Sequence, residues 1–189
     1  HRYVQAFISQ GVDGLLYTPT AGASEKAYLP IIDLIKKNTL PTVLIDREIP
    51  GYDGPGVYCD NTNGAFLVTE HLISLGHKRI GCISGTHLQS SSDQRLIGYR
   101  KALEASNLPY DASLIYEGNY DIASGKQAIP YLLGKNITAI FAFNDMMALG
   151  AMKELNVYNM SIPKDMALAG FDDSFFCETM QTSLTSVRQ

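Results

Sequence analysis

The fold of this chain is decided by the stretch AIFAFNDMMALGAMKEL (residues 139–155) together with ALAGFDD (167–173). AIFAF and ALAGF are continuous in apolar residues, as expected for strands buried on both faces of a parallel sheet. Between them, MMALGAMKEL has the apolar spacing of a helix. A strand, a helix and a second strand in this order predict a βαβ unit with two parallel strands.

The same alternation extends along the whole chain and predicts an α/β fold with doubly wound, mainly parallel sheets. Helices are predicted at residues 2–10, 25–37, 63–74, 93–106, 124–133 and 146–155. Strands are predicted at residues 12–17, 42–45, 57–59, 79–83, 114–117, 139–143, 167–171 and 184–187. In the helix at 63–74, a core stripe is predicted for Ala65, Val68, Leu72 and Leu75.

The alternation of predicted strands and helices changes at Asp60 and Asn61, which predicts two lobes. Residues 1–60 hold about two and a half βα units and are expected to be part of an N-terminal lobe, incomplete in this chain. Residues 61–189 hold a complete five-strand set and are expected to form the C-terminal lobe. Because the chain opens at His1 without an initiator Met, we expect it to be a piece of a longer protein.

The composition excludes several classes of protein. Fifteen Lys and Arg against nineteen Asp and Glu give a net charge of -4, and no basic run is present, so the segment lacks the surface of a nucleic-acid binder. The three cysteines are far apart and form no CxxC motif, which indicates buried thiols in a reducing compartment. No signal peptide or twenty-residue apolar run is present, so a membrane span is not expected.

Polar side chains follow most of the predicted strands, at the edge where open parallel sheets bind ligands. They are Asp46 and Arg47, the loop at 85–92, Tyr120, Asn144, and Asp172 with Asp173, and Arg95 begins the helix after the loop. Carboxylates and arginine forks suit pairs of neighbouring hydroxyls, and an aromatic face packs on a sugar ring. The set predicts a polyol or sugar site, with helix capping as the alternative role of each Asp and Asn.

No catalytic or metal-binding constellation is found. His71 and His77 are six residues apart and share no helical face. A nucleophile elbow needs Gly two residues before its Ser, but Cys82 occupies that position before Ser84. No phosphate-binding glycine loop lies near Asp172 and Asp173. We therefore expect no enzyme activity, no metal and no cofactor.

Five segments resemble the effector-binding core of LacI/GalR-family transcription repressors. They are NGAFLVTEHLISLGHKRIGCISG (63–85), RLIGYRKAL (95–103), ITAIFAFNDMMALGAMKEL (137–155), SIPKDMALAGFDD (161–173) and LTSVRQ (184–189). The resemblance implies a type I periplasmic-binding-protein-like fold, with two doubly wound lobes and a small effector in the cleft between them. It also implies a cytoplasmic homodimer that binds operator DNA through a helix-turn-helix domain absent from this chain. The helix at 63–74, with Phe66 off its core stripe, offers a dimer surface.

Carried over from the family, the sugar-contacting positions fall largely on the residues already selected at the strand ends. They are Asp46, Arg47, Arg95, Tyr120, Asn144, Asp172 and Gln189, with Gln89 and Ser91 at positions of variable specificity contacts. Purine-sensing relatives have an aromatic residue in place of Arg47, so the resemblance favours a sugar. Family members that respond to a phosphorylated partner protein stay open as an alternative.

A second function class has the same fold: the periplasmic sugar-binding protein of a transporter. HLISLGHKRI (71–80), the free cysteines and the missing export signal favour the regulator. The identity of the sugar, and whether it induces or co-represses, are not readable from these residues.

Overall fold

The computed structural model describes residues 2–20, 25–87, 90–179 and 182–189, and the chain divides into two units, residues 1–59 and 60–189. The described part of the first unit contains α1 (Arg2–Ser9), β1 (Leu15–Tyr17), α2 (Glu25–Lys37), β2 (Thr42–Ile45) and β3 (Gly56–Val57). These strands are parallel in the order β1-β2-β3.

The first unit has its own core, in which apolar residues of α1 and α2 pack with Leu44 of β2. Pro30 lies inside α2. Two predicted strands differ from the structure. The strand predicted at 12–17 begins only at Leu15, and the one predicted at 57–59 is Gly56–Val57, whose two residues are both exposed.

The second unit is a five-stranded parallel sheet with helices between its strands. Its described helices are α3 (Asn61–Ser74), α4 (Ser90–Ala105), α5 (Ile122–Leu133) and α6 (Asp145–Val157). Its strands are β4 (Ile80–Ser84), β5 (Ile115–Glu117), β6 (Ala139–Ala142), β7 (Ala167–Asp172) and β8 (Thr185–Arg188). Short 3-10 turns lie at Ala112–Leu114 and Phe175–Thr179.

The strand order of this sheet is β5-β4-β6-β7-β8. The chain leaves β4 toward one edge and then crosses back to β6, so right-handed connections place helices on both faces. α3 packs along α4, and α5 packs along α6. The α/β class with parallel sheets is thereby confirmed.

The burial of each strand of the second sheet depends on its place in the strand order. Every residue of β4 and β6 is buried, as are all but the last of β7, whereas the edge strands β5 and β8 are partly exposed. The strand predicted at 114–117, which is β5, is therefore less buried than the central strands, because an edge strand has a neighbouring strand on one side only.

The core stripe predicted for α3 is wrong at one of its four residues. Ala65, Val68 and Leu72 are buried, but Leu75 is 62% exposed. Leu75 is the C-cap residue, where the chain has already left the helical path that would carry it to the core side.

Candidate functional site

The candidate site lies at the carboxyl edge of the second sheet. β4 lies between β5 and β6, so the loops that follow β4 and β6 diverge at a topological switch point. Ser84 ends β4, and Asn144 follows β6. The predicted residues of this unit lie around this point.

Arg95 is the most highly connected of them. It lies on α4 and is buried. Its Nε donates to Asn61 Oδ1 at 2.8 Å, and its Nη1 donates to the carbonyl of Phe143. The guanidinium also lies 3.6 Å from the centre of the Phe171 ring. These contacts hold the fork in one orientation at the sheet edge.

Asp172 and Gln189 complete this side of the site. Asp172 Oδ1 lies 3.6 Å from Arg95 Nη1 and accepts a hydrogen bond from Gln189 Nε2 at 2.5 Å. Asp172 is the last residue of β7, and it pairs in register with Arg188 of β8. The structure therefore brings Arg95, Asp172 and Gln189 together.

Asn144 and Tyr120 form the other side. Asn144 is the N-cap of α6: its Oδ1 accepts from the Met147 amide at 2.9 Å. Its Nδ2 donates to the carbonyl of Tyr120 at 3.1 Å, so one amide caps the helix and holds the loop after β5. The Tyr120 ring lies against Gly85, where a Cβ atom would come within 1.9 Å of it.

Two of the remaining predicted residues lie in the first unit. Arg47 Nη2 lies 3.3 Å from Asp46 Oδ2, and Arg47 Nη1 donates to the carbonyl of Pro19 at 3.1 Å. Both residues follow β2 directly.

Ser91 and Gln89 are the two residues predicted to make variable specificity contacts. Ser91 is buried in the first turn of α4, four residues before Arg95, and so lies on the same helical side. Gln89 lies outside the described residues.

Backbone strain marks the same places. Among the described residues, some non-glycine residues with positive φ come just after helices: Thr39, Asn107, Asn136 and Asn159. The others are Asp46 (φ 71), Tyr120 (φ 61), Asp172 (φ 114) and Asp173 (φ 53), each at or just beyond the carboxyl end of a strand. Such conformations cost about 1–3 kcal/mol each and persist where the surroundings enforce them, typically at functional sites.

Three residues of this edge were missed by sequence reasoning. Asn61 orients Arg95, Phe171 lies under its guanidinium, and Asp145 is fully buried beneath the site. The only local signal for Asp145 is its place directly after Asn144 at a helix start. Nothing in the local sequence indicates the other two roles, because both depend on the contact of α4 with distant elements.

Other chemistry is not indicated by the described part of the chain. It contains no group of three or more His, Cys, Asp or Glu side chains placed to hold a metal ion. None of its helices combines the length and apolar character that a membrane span requires.

Comparison with known proteins gives one family match and many related chains. Residues 69–189 match the model of the periplasmic binding protein-like domain. The transcriptional regulator DegA of Bacillus subtilis is 31% identical over 189 residues, which are 100% of this chain and 56% of DegA. The transcriptional regulator GalR of Salmonella typhimurium is 40% identical over 164 residues, 85% of this chain and 48% of GalR.

The solved structure of a complex of the transcriptional regulator CelR with cellobiose is similar, with a TM-score of 0.86 and 32% identity. The match covers 100% of this chain and 57% of that one. This chain thus spans about half the length of the curated relatives that it matches.

Proposed function

Because the chain belongs to the family of periplasmic binding protein-like domains, in the form found in LacI/GalR-type transcriptional regulators, we propose that it senses the effector of such a regulator. In this proposal it binds a small neutral sugar and adjusts the affinity of the whole protein for operator DNA. The residues proposed to bind the sugar are Asp46, Arg47, Arg95, Tyr120, Asn144, Asp172 and Gln189, with Gln89 and Ser91 as specificity contacts.

The observation that carries this proposal is the assembly of Arg95, Asp172 and Gln189 at one sheet edge. The Asp172 side chain is 32% exposed and Gln189 is exposed, so both present polar atoms to solvent. A carboxylate accepts from two hydroxyls, and an amide both donates and accepts. This combination suits neighbouring hydroxyl groups of a sugar.

The charges favour a neutral ligand. Arg95 has Asp172 at 3.6 Å, and Arg47 has Asp46 at 3.3 Å, so each proposed guanidinium already faces a carboxylate. A phosphate or carboxylate on the ligand would be repelled by that second acid. We therefore propose an uncharged sugar in preference to a sugar phosphate or a sugar acid.

Tyr120 gives independent support. Its hydroxyl is buried and has no hydrogen-bond partner in the described part of the chain. Leaving such a group unsatisfied costs about 1–3 kcal/mol. A sugar hydroxyl at this edge would supply the missing partner, and the Tyr120 ring would offer an apolar face.

The relatives favour the regulator over the alternative of a transporter's sugar-binding protein. DegA, GalR and CelR are all named as transcriptional regulators. We propose accordingly a binding role without catalysis, in a cytoplasmic protein whose DNA contacts lie outside this chain.

The proposal is tested by calorimetry of the full-length protein with D-galactose, D-ribose, cellobiose and glucose 6-phosphate. A neutral sugar should bind, and Asp172→Ala or Arg95→Ala should weaken it about ten- to a hundred-fold, because each removes a charged hydrogen-bond partner. Lys101→Ala, at an exposed residue of α4, is the matched control and should bind normally. Normal binding by Asp172→Ala would show that the assigned site is wrong.

We propose further that the full-length protein is a homodimer, as the family resemblance implies. Sedimentation equilibrium at micromolar concentration should give twice the chain mass. Phe66 is half-buried and α3 packs along α4, so the dimer surface predicted on that helix is reduced to residues such as Leu67, which is 52% exposed. A monomer at this concentration would contradict the proposal.

A further inference from the structure

Asp145 is a fully buried carboxylate that the proposed sugar contacts do not use. Its Oδ1 accepts from Ser186 Oγ at 2.6 Å. Its Oδ2 accepts from the Ser174 amide at 2.7 Å and from Cys177 Sγ at 3.3 Å. It is also the first residue of α6, where the helix N-terminus favours negative charge.

The partners of Asp145 belong to one stretch of chain. All three donors come after Asp172, on the turn that leaves β7 and on β8. Ser186 Oγ in addition accepts from the Asp173 amide at 3.0 Å, which ties the turn to β8. Asp145 therefore links the start of α6 to the segment that connects Asp172 with Gln189.

β7 makes room for this carboxylate. A Cβ atom at Gly170 would lie 2.3 Å from Asp145 Oδ1, so a side chain there would displace the carboxylate. Burying an ion is costly unless it is fully hydrogen-bonded, and here the compensation comes from residues beside the site.

The linked segment contains two of the strained residues. Asp172 and Asp173 have φ of 114° and 53°, conformations that residues with a Cβ rarely adopt. Asp145 bonds the Ser174 amide directly and the Asp173 amide through Ser186, so it fixes the backbone immediately after Asp172. The Asp172 carboxylate, next to this backbone, faces Arg95 and Gln189.

We propose that Asp145 is the positioning residue of the site: it holds the turn after β7 and strand β8 so that Asp172 and Gln189 are prearranged for the ligand. The identity of the ligand rests on the proposed function, but the network and its first test do not.

The first test is amide hydrogen exchange of the ligand-free, full-length protein. In Asp145→Asn the amides of Asp173 and Ser174 should exchange about ten-fold faster or more, because their acceptor network is broken. Asp93→Asn, at an exposed residue in the first turn of α4, is the matched control and should leave them unchanged. Unchanged exchange in a folded Asp145→Asn protein would overturn the inference.

If Asp145→Asn does not fold, two milder substitutions at Ser186 test the inference. Ser186→Ala removes the hydroxyl that bridges Asp145 and the Asp173 amide, and Ser186→Thr retains it. Faster exchange in the alanine variant at Ser174, whose amide donates to Asp145 and not to Ser186, restored by threonine, supports the inference. Equal exchange in the two variants overturns it.

The second test separates positioning from general stabilisation by a double-mutant cycle. With whichever of D-galactose, D-ribose or cellobiose binds the wild type, Asp145→Asn should weaken affinity about ten-fold, and should add little in the Asp172→Ala background. Additive losses would overturn the inference. If none of these sugars binds the wild type, the proposed function fails, and the exchange experiment still decides the role of Asp145.

Discussion

Arg95 shows how one side chain links several elements at the residue scale. It is buried at 5% exposure and contacts Asn61 of α3, the Phe143 carbonyl after β6, and Asp172 of β7. A planar guanidinium can donate in several directions at once and stack on Phe171, whereas an ammonium is a compact point charge. The positive charge alone therefore does not account for the choice of arginine.

Arg95→Lys is expected to reduce stability even though it keeps the charge. Lysine lacks the planar fork whose Nε and Nη1 donate to Asn61 Oδ1 and the Phe143 carbonyl, and a buried acceptor left unsatisfied costs about 1–3 kcal/mol. We expect the free energy of unfolding in urea to fall by about 2–3 kcal/mol. Arg100→Lys is the control, because Arg100 on the same helix is exposed, donates to Tyr110 Oη and stacks on its ring. A fall as small as that of the control would contradict the role given to Arg95.

The buried thiol of Cys177 should make the stability of the protein depend on pH. Burial, and then the hydrogen bond and charge of Asp145, raise the pKa of its thiol to about 12. In the unfolded chain a thiol ionises near pH 8.5, so the unfolded state binds fewer protons above that pH and stability falls as pH rises. For one thiol the fall is about 1 kcal/mol between pH 7.5 and 9.5.

This dependence is measured by urea unfolding at pH 7.5 and 9.5. Cys177→Ser keeps a donor for Asp145 but does not titrate, so its stability should fall by about 1 kcal/mol less than that of the wild type. Equal falls would show that the buried thiol is not the source. Cys82, whose pKa is also raised by burial, contributes in the same direction and is unchanged in the comparison.

At the scale of elements, two helix pairs depend on close backbone approach. A Cβ atom at Gly98 of α4 would lie 2.2 Å from the Thr62 carbonyl oxygen of α3. In the other pair, a Cβ atom at Gly125 would lie 2.2 Å from the Met147 carbonyl oxygen. The clashing atoms are backbone atoms, so the helices themselves would have to separate.

Gly98→Ala is therefore expected to destabilise the protein although alanine favours helices. Overpacking costs about 1–3 kcal/mol, against a gain of about 1 kcal/mol in helix propensity. Because the 2.2 Å approach is to a backbone oxygen, the overpacking cost should lie at the upper end of that range, and we expect a net loss of about 1–2 kcal/mol in urea unfolding. Gly134→Ala is the control: its φ is -70°, and the nearest atom to a new Cβ is 3.9 Å away. A stabilising Gly98→Ala would contradict this account of α3 and α4.

At the scale of the whole molecule, the proposed function requires coupling between sugar and DNA. A ligand shifts an equilibrium only by its differential affinity for the two states, and the coupling must be reciprocal. In the full-length protein we expect saturating sugar to change operator affinity by about 5- to 150-fold, measured at fixed salt.

Asp46→Ala is the variant that tests this coupling from the first unit. It should lose the response of operator affinity to sugar while keeping the operator affinity of the sugar-free protein. Unchanged operator affinity of the wild type at saturating sugar would exclude the mechanism.

The α/β class, the positions of the described α-helices within a few residues, and most candidate residues at the strand ends could be predicted from the sequence. These features follow from local patterns: apolar runs make buried strands, helical spacing makes helices, and polar residues after parallel strands share one edge. Asn144 illustrates this, because its capping role is readable from its place before the helix.

Which strands lie at an edge, and which distant groups meet, could not be predicted from the sequence and follow from the three-dimensional arrangement of the elements. β5 is an edge strand because the chain crosses back over β4 to form β6. A local apolar run does not specify that crossing. Likewise, the contacts of Arg95 with Asn61 and Phe171, and the burial of Asp145 under the turn after β7, join residues far apart in the chain. Their partners are set by how the connections place whole elements side by side, which periodicity along one element does not specify.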